Sequence, residues 1–170
     1  AQKQNKGDFV MSTKALRKPS CLFLTLVLIA GIIPISATTS YAAGESIDNP
    51  VICTSFSQFK SAMEDDEIVY VSLGDVEELL PVLEEDEVVP AITVKGTKKL
   101  KITGFAKFVA PNEGGIYDCL LKTLGSELYV QGSGQLVFSA VGTYTSNAVI
   151  RNADGRVIVY NAALKGEFHA

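Results

Sequence analysis

Residues Ile92 to Gly104 read Ile-Thr-Val-Lys-Gly-Thr-Lys-Lys-Leu-Lys-Ile-Thr-Gly. Ile92 and Val94 share a face before Gly96, Leu100 and Ile102 share one after it, and Lys99 and Lys101 take the opposite face. Such period-2 alternation marks a strand with one buried side. The phrase returns at Leu128 to Ala140, with Val130, Gly132, Leu136 and Phe138 standing for Val94, Gly96, Leu100 and Ile102. A looser copy runs from Ala148 to Tyr160, one residue longer across its turn. Val94 to Val130 is 36 residues (130 − 94), and Val130 to Ile150 is 20 (150 − 130). A strand–turn–strand unit of this size cannot bury its own apolar face, so the units are expected to stack. The expected core is Val94, Leu100, Ile102, Val130, Leu136, Phe138, Ile150 and Val157.

The front of the chain has a different character. Residues 1–10 are polar and unpatterned, and they read as translated upstream sequence preceding Met11. Residues 11–42 read as a signal peptide. Lys14, Arg17 and Lys18 form the positive segment, Cys21 to Ile35 the apolar one, and Ser40-Tyr41-Ala42 sets small side chains at both positions a signal peptidase inspects. The apolar run is shorter than the roughly 20 residues of a spanning helix, which favours cleavage over anchoring. A secreted or cell-surface address is the expectation.

Removing residues 1–42 changes the charge balance. That segment carries five of the 15 Lys+Arg and one of the 19 Asp+Glu, leaving 10 basic against 18 acidic side chains, a net of −8. Nucleic acid is not an expected partner, since phosphate binding needs a clustered positive face. Lys95, Lys98, Lys99, Lys101 and Lys107 cluster, but they read as the solvated face of the first unit. Export leaves Cys53 and Cys119 as a pair in an oxidising-permissive compartment. A Cys53–Cys119 disulfide and two buried free thiols are both open. No Cys-x-x-Cys spacing points to zinc or redox chemistry.

Residues 43–67 are expected to form an N-terminal cap. Thr54 to Met63 fits a short amphipathic helix, with Ser55 and Gln58 at capping-box spacing and Phe56, Phe59 and Met63 on one stripe. Residues 68–170 are expected to be the stacked coils. Ile68 to Leu73 reads as a strand buried on both faces. Asp75 to Val89 reads as an acidic excursion with one or two helical turns, although Pro81 opposes a longer helix. Phe105 to Val109 extends the strand run, Pro111 to Gly115 turns, and Ile116 to Leu124 fits a further strand. Asn147, Asn152 and Asn161 fall at turn-like places, where asparagine tolerates left-handed backbone. The run to Ala170 ends on a coil with no polar cap, so the chain is expected to be a piece of a longer protein.

Taken together, these residues resemble the N-terminal end of secreted bacterial right-handed parallel β-helix proteins, the pectate-lyase-like superfamily. The resemblance rests on the helix at Phe56 to Met63, the strand at Ile68 to Leu73 and the unit at Ile92 to Gly104. The stretch from Asn147 to Gly166 is similar to coils of surface and adhesin-type members. The resemblance implies an all-β fold, a right-handed parallel β-helix of about three coils with a short N-terminal capping helix; a small β-sandwich is the alternative. Lyases of the superfamily carry acidic calcium ligands and an arginine base on later coils, and no such motif is matched here.

Candidate chemistry is sparse. His169 is the only histidine, so Ser-His-Asp, Cys-His and histidine–metal arrangements lack a positioned partner. No catalytic or metal residue is therefore assigned. Glu84, Glu85, Asp86 and Glu87 offer oxygens of the kind calcium takes, but a run of adjacent acids usually forms a solvated loop. No cofactor is expected, with calcium there as the open alternative. Arg151, Asp154 and Arg156 either flank a carbohydrate groove or decorate a turn. Gly132-Ser133-Gly134 is too short for a phosphate loop. Tyr70, Tyr117, Tyr129, Tyr144 and Tyr160 could stack on sugars if one face displays them. The expected role is a non-enzymatic extracellular module, adhesin-like, with polysaccharide or a cell-surface ligand as partner. The alternative is the front of a polysaccharide lyase or hydrolase whose active site lies on later coils.

Overall fold

The computed structural model describes residues 42–141 and 147–169. The upstream segment 1–10, the signal peptide as far as Tyr41, and Tyr144 in the expected turn lie outside the described residues. The described elements are β1 (Val51–Cys53), α1 (Phe56–Glu64), β2 (Tyr70–Leu73), β3 (Val76–Leu79), β4 (Val88–Val94) and β5 (Thr97–Ile102). They continue as β6 (Phe105–Val109), β7 (Ile116–Leu124), β8 (Glu127–Gly132), β9 (Gln135–Val141), β10 (Ala148–Ala153), β11 (Arg156–Tyr160) and β12 (Ala163–His169).

These strands wind into a parallel β-solenoid with three walls. The first wall has the order β1-β2-β5-β8-β11, the second β12-β9-β6-β3 and the third β10-β7-β4. Each coil visits the walls in turn: β2-β3-β4, β5-β6-β7 and β8-β9-β10, with β11-β12 opening another. Every strand pairing between coils is parallel, which rules out the antiparallel sheets of a β-sandwich. Leu73 lies opposite Ile102 and Ile102 opposite Gly132, a coil of 29 to 30 residues (102 − 73; 132 − 102).

That period corrects the spacing read from the repeated phrase. Val130 is opposite Leu100 and Val159, whereas Val94 is opposite Thr123. The phrases at Ile92 and Ala148 turn the corner from third wall to first; the one at Leu128 turns from first wall to second. The corners into and out of the first wall each join two short strands through a small residue, so local alternation does not tell them apart. The core prediction survives the shift in phase. Val94, Leu100, Ile102, Val130, Leu136 and Phe138 are at most 1% exposed, while Ile150 and Val157, on the last strands of their walls, are only partly buried.

Inward side chains stack by like size between coils. Val71, Leu100 and Val130 form one such column, and Phe108 and Phe138 another. At the corner after the first wall the coils approach backbone to backbone. A Cβ on Gly134 would lie 2.3 Å from the Gly104 carbonyl oxygen, and one on Gly132, at φ +128°, 2.0 Å from that of Ile102. Glycine is the residue that fits there.

Asp75 to Val89 holds no helical turn. Val76 to Leu79 is a strand because pairing with β6 places Val76 over Ala106 in the core, and tertiary pairing outweighs a weak helical stripe. The asparagine expectation holds at Asn161, whose φ is 53°. Asn152 is in β10, where its side chain accepts from the Thr123 hydroxyl at 2.5 Å and donates to Gly155 O at 2.9 Å.

Helix α1 closes one end of the stack. Phe56, Phe59, Ala62 and Met63 face the core, and the Phe59 ring stacks on Phe108 at 5.7 Å and 7°. Burying each of the three large side chains is worth roughly 1.5–3 kcal/mol. Ser55 is the N-cap, its hydroxyl accepting from Gln58 N at 3.3 Å. The return bond of a capping box is shifted by one residue, since Gln58 Oε1 accepts from Thr54 N at 2.9 Å.

Two inward-pointing charges hold the lid at opposite ends. Glu78, in phase with Val76 on β3, accepts from the Phe56 amide at 2.8 Å, where the helix end is positive. Lys98 is 0% exposed and in phase with Leu100 and Ile102. Its ammonium donates to Asp65 O at the helix C-cap and to Ile68 O. Burial lowers the Lys98 pKa below 10.5, opposed by the charges of Asp65 and Asp66. Lys98 therefore leaves the solvated lysine face predicted for it: strand alternation turns it inward, and the carbonyls at the helix end supply its partners.

Candidate functional site

The outer face of the first wall is where polar and aromatic side chains align. Two columns cross its strands. One is Tyr70, Lys99, Tyr129 and Ile158; the other is Ser72, Lys101, Gln131 and Tyr160. Strands stand about 4.8 Å apart, so each column presents one side chain per strand along the solenoid axis. The columns arise because inward Val71, Leu100 and Val130 leave the alternate positions of the same strands to solvent.

The first column is held in place from within. Lys99 Nζ donates to the Tyr70 hydroxyl at 3.0 Å and sits 4.7 Å from the centre of that ring, a cation–π contact. The Tyr129 hydroxyl donates to Glu127 Oε2 at 3.0 Å. The second column is less occupied. Lys101 has no hydrogen-bond or ion-pair partner among the described residues. It lines an open cleft of about 350 Å³ with Gln131, Ser133, Tyr160 and Asn161. Tyr160 is 68% exposed and presents a ring to that cleft. The left-handed backbone of Asn161 and the Gly132–Gly134 corner set the rim. A cation, amide and hydroxyl groups and an aromatic platform can hold a hydroxylated ring bearing a negative charge.

Of the tyrosines named from sequence, Tyr70, Tyr129 and Tyr160 share this face. Tyr117 does not: it is 6% exposed on the third wall, and its hydroxyl donates to Pro81 O at 2.9 Å. Burial, with the Glu87 charge, raises its pKa. Arg151 and Arg156 lie on different walls, Arg151 on β10 and Arg156 opening β11. Arg151 Nη1 holds Asp118 Oδ2 at 2.7 Å, and Asp154 takes the left-handed turn between the strands at φ 56°. Gly132 to Gly134 is a corner that lends Ser133 to the cleft. Gln131 was not singled out from sequence, and Ser133 and Asn161 were read there only as turn residues; aligning the chain at 29 to 30 residues would have put Gln131 beside Lys101.

Cys53 and Cys119 are both buried free thiols, on the first and third walls. Burial pushes Cys53 up to about 11; burial first, then the Asp118 carboxylate, pushes Cys119 up to about 12. Neither can act as a thiolate near neutral pH. Glu84, Glu85, Asp86 and Glu87 are exposed around a turn. Among the described residues no group of three or more His, Cys, Asp or Glu is placed to hold a metal. His169 is exposed at the end of β12. No helix among the described residues is long and apolar enough to cross a membrane. Comparison of the chain with protein-family models, with curated proteins and with solved structures finds no match in any of the three.

Proposed function

We propose that the chain is a binding module of a secreted or cell-surface β-solenoid protein, and that the outer face of its first wall takes an extended acidic polysaccharide. The observation that carries this reading is the pair of side-chain columns, ending in the cleft where the unpaired Lys101 faces the Tyr160 ring. A chain laid along the solenoid axis meets one side chain of each column per strand, so a repeating polymer suits the face better than a compact ligand does. Export rests on the Met11 to Ala42 pattern. The role is adhesin-like, binding without turnover.

Affinity electrophoresis against polygalacturonate, alginate and chondroitin sulfate tests this, with dextran as the neutral control. The wild type is retarded by at least one acidic polymer. Tyr160→Ala and Lys101→Ala each weaken that retardation fivefold or more, and retardation falls with added salt. Retardation of the wild type by none of them, or variants that bind as it does, would sink the proposal. Release of unsaturated sugars during the assay would favour the lyase alternative.

A further inference from the structure

Strand β4 is the end strand of the third wall, and α1 lies along its free edge. Lys60 and Glu64, one turn apart on α1, form an ion pair of 2.6 Å. Lys60 Nζ also donates to Ala91 O at 2.8 Å, and Glu64 Oε1 accepts from Thr93 N at 3.1 Å. Those two backbone groups flank Ile92. In a parallel ladder, one residue of the adjoining strand donates its amide to the carbonyl before its partner and accepts from the amide after it. For Ile92 these are Ala91 O and Thr93 N. The ion pair therefore supplies one donor and one acceptor where an adjoining strand would supply its N–H and C=O. The next amide on the same edge, Lys95 N, donates to Met63 O at 3.0 Å.

We infer that the Lys60–Glu64 pair stands in for one residue of an adjoining strand and thereby shuts the β4 edge against a second copy of the chain. An open edge is a template for further pairing. The strand that fits it is β10 of another copy, the last strand of the same wall among the described residues, which runs parallel to β4 through β7. Both side chains are part-exposed, at 42% and 28%, while Phe56, Phe59, Ala62 and Met63 of α1 are buried.

The test is the full chain carrying Lys60→Ala with Glu64→Ala, read by amide hydrogen exchange and sedimentation velocity. Alanine is the strongest helix former, so α1 is kept. The Thr93 amide is expected to exchange at least tenfold faster while Lys95 stays protected, with concentration-dependent association that the wild type lacks. Glu64→Gln, which retains an acceptor oxygen, keeps Thr93 protected and the chain unassociated. If Lys95 loses protection too, the lid has loosened, and Glu64→Ala alone carries the same two readouts. Unchanged Thr93 protection, or exposed Thr93 with no added association, overturns the inference.

Discussion

Replacing Lys98 by methionine separates the two halves of this side chain. The stem of Lys98 is fully buried, and methionine fills nearly the same space. What disappears is the ammonium that donates to Asp65 O and Ile68 O. Asp65 O keeps the Ile68 amide at 3.3 Å, so Ile68 O is the group left without this donor. Orphaning one buried carbonyl costs about 1–3 kcal/mol. Relief of the desolvation that lowers the Lys98 pKa works the other way, which sets the expected loss for Lys98→Met at about 1–2 kcal/mol. Lys98→Ala removes roughly three further buried methylenes at about 0.8 kcal/mol each, for a loss of about 3–5 kcal/mol. Urea unfolding of the three proteins gives both differences from midpoints at constant slope. The pH dependence has a fixed sign. The unfolded chain binds the Lys98 proton more tightly than the folded one, so wild-type stability rises, relative to Lys98→Met, as pH climbs from the lowered pKa toward 10.5. A Lys98→Met protein as stable as wild type or more so at pH 7 would refute the claim that this ammonium pins the lid.

Four more outcomes are expected. Lys165 and Lys107 hold Glu167 down to about 2, so their contribution is present above pH 4.5 and lost as pH falls toward 2; acid titration of the melting temperature loses that step in Glu167→Gln. Gly134→Ala drives a Cβ into the Gly104 backbone at 2.3 Å and costs about 1–3 kcal/mol, while Gly74→Ala, whose nearest neighbour is the Thr103 hydroxyl at 4.0 Å, stays within about 0.5 kcal/mol in the same melts. Iodoacetamide at pH 8 leaves Cys53 and Cys119 unmodified in the folded protein and labels both in urea, and a disulfide-linked peptide in a non-reducing digest would contradict the two free thiols. Val130→Asp or Ile102→Asp puts an unpaired charge between coils and abolishes soluble folding; a soluble variant with unchanged sheet content would speak against the stack.

Local alternation determined which residues of a strand go inside. Leu100 and Ile102 were legible as core from a few neighbouring residues, because period-2 patterning needs nothing beyond the strand itself. Ile116 to Leu124 was legible as a strand from its apolar run, and α1 from apolar residues at helical spacing. The helix at Phe56 and the stacking of short units together pointed to a capped parallel solenoid, and the sheets have that form. What the tertiary structure decided is everything that depends on the partner about 30 residues away: which corner each glycine turns, and why Val130 lies against Leu100 rather than in the place of Val94. The same dependence makes Val76 to Leu79 a strand, and it turns Lys98 from a surface charge into a buried clamp. The Tyr–Lys columns were invisible in sequence order for that reason, since Lys101, Gln131 and Tyr160 meet only when three coils are laid in register. A strand's inside and outside are properties of its own residues, whereas its register belongs to the strand beside it.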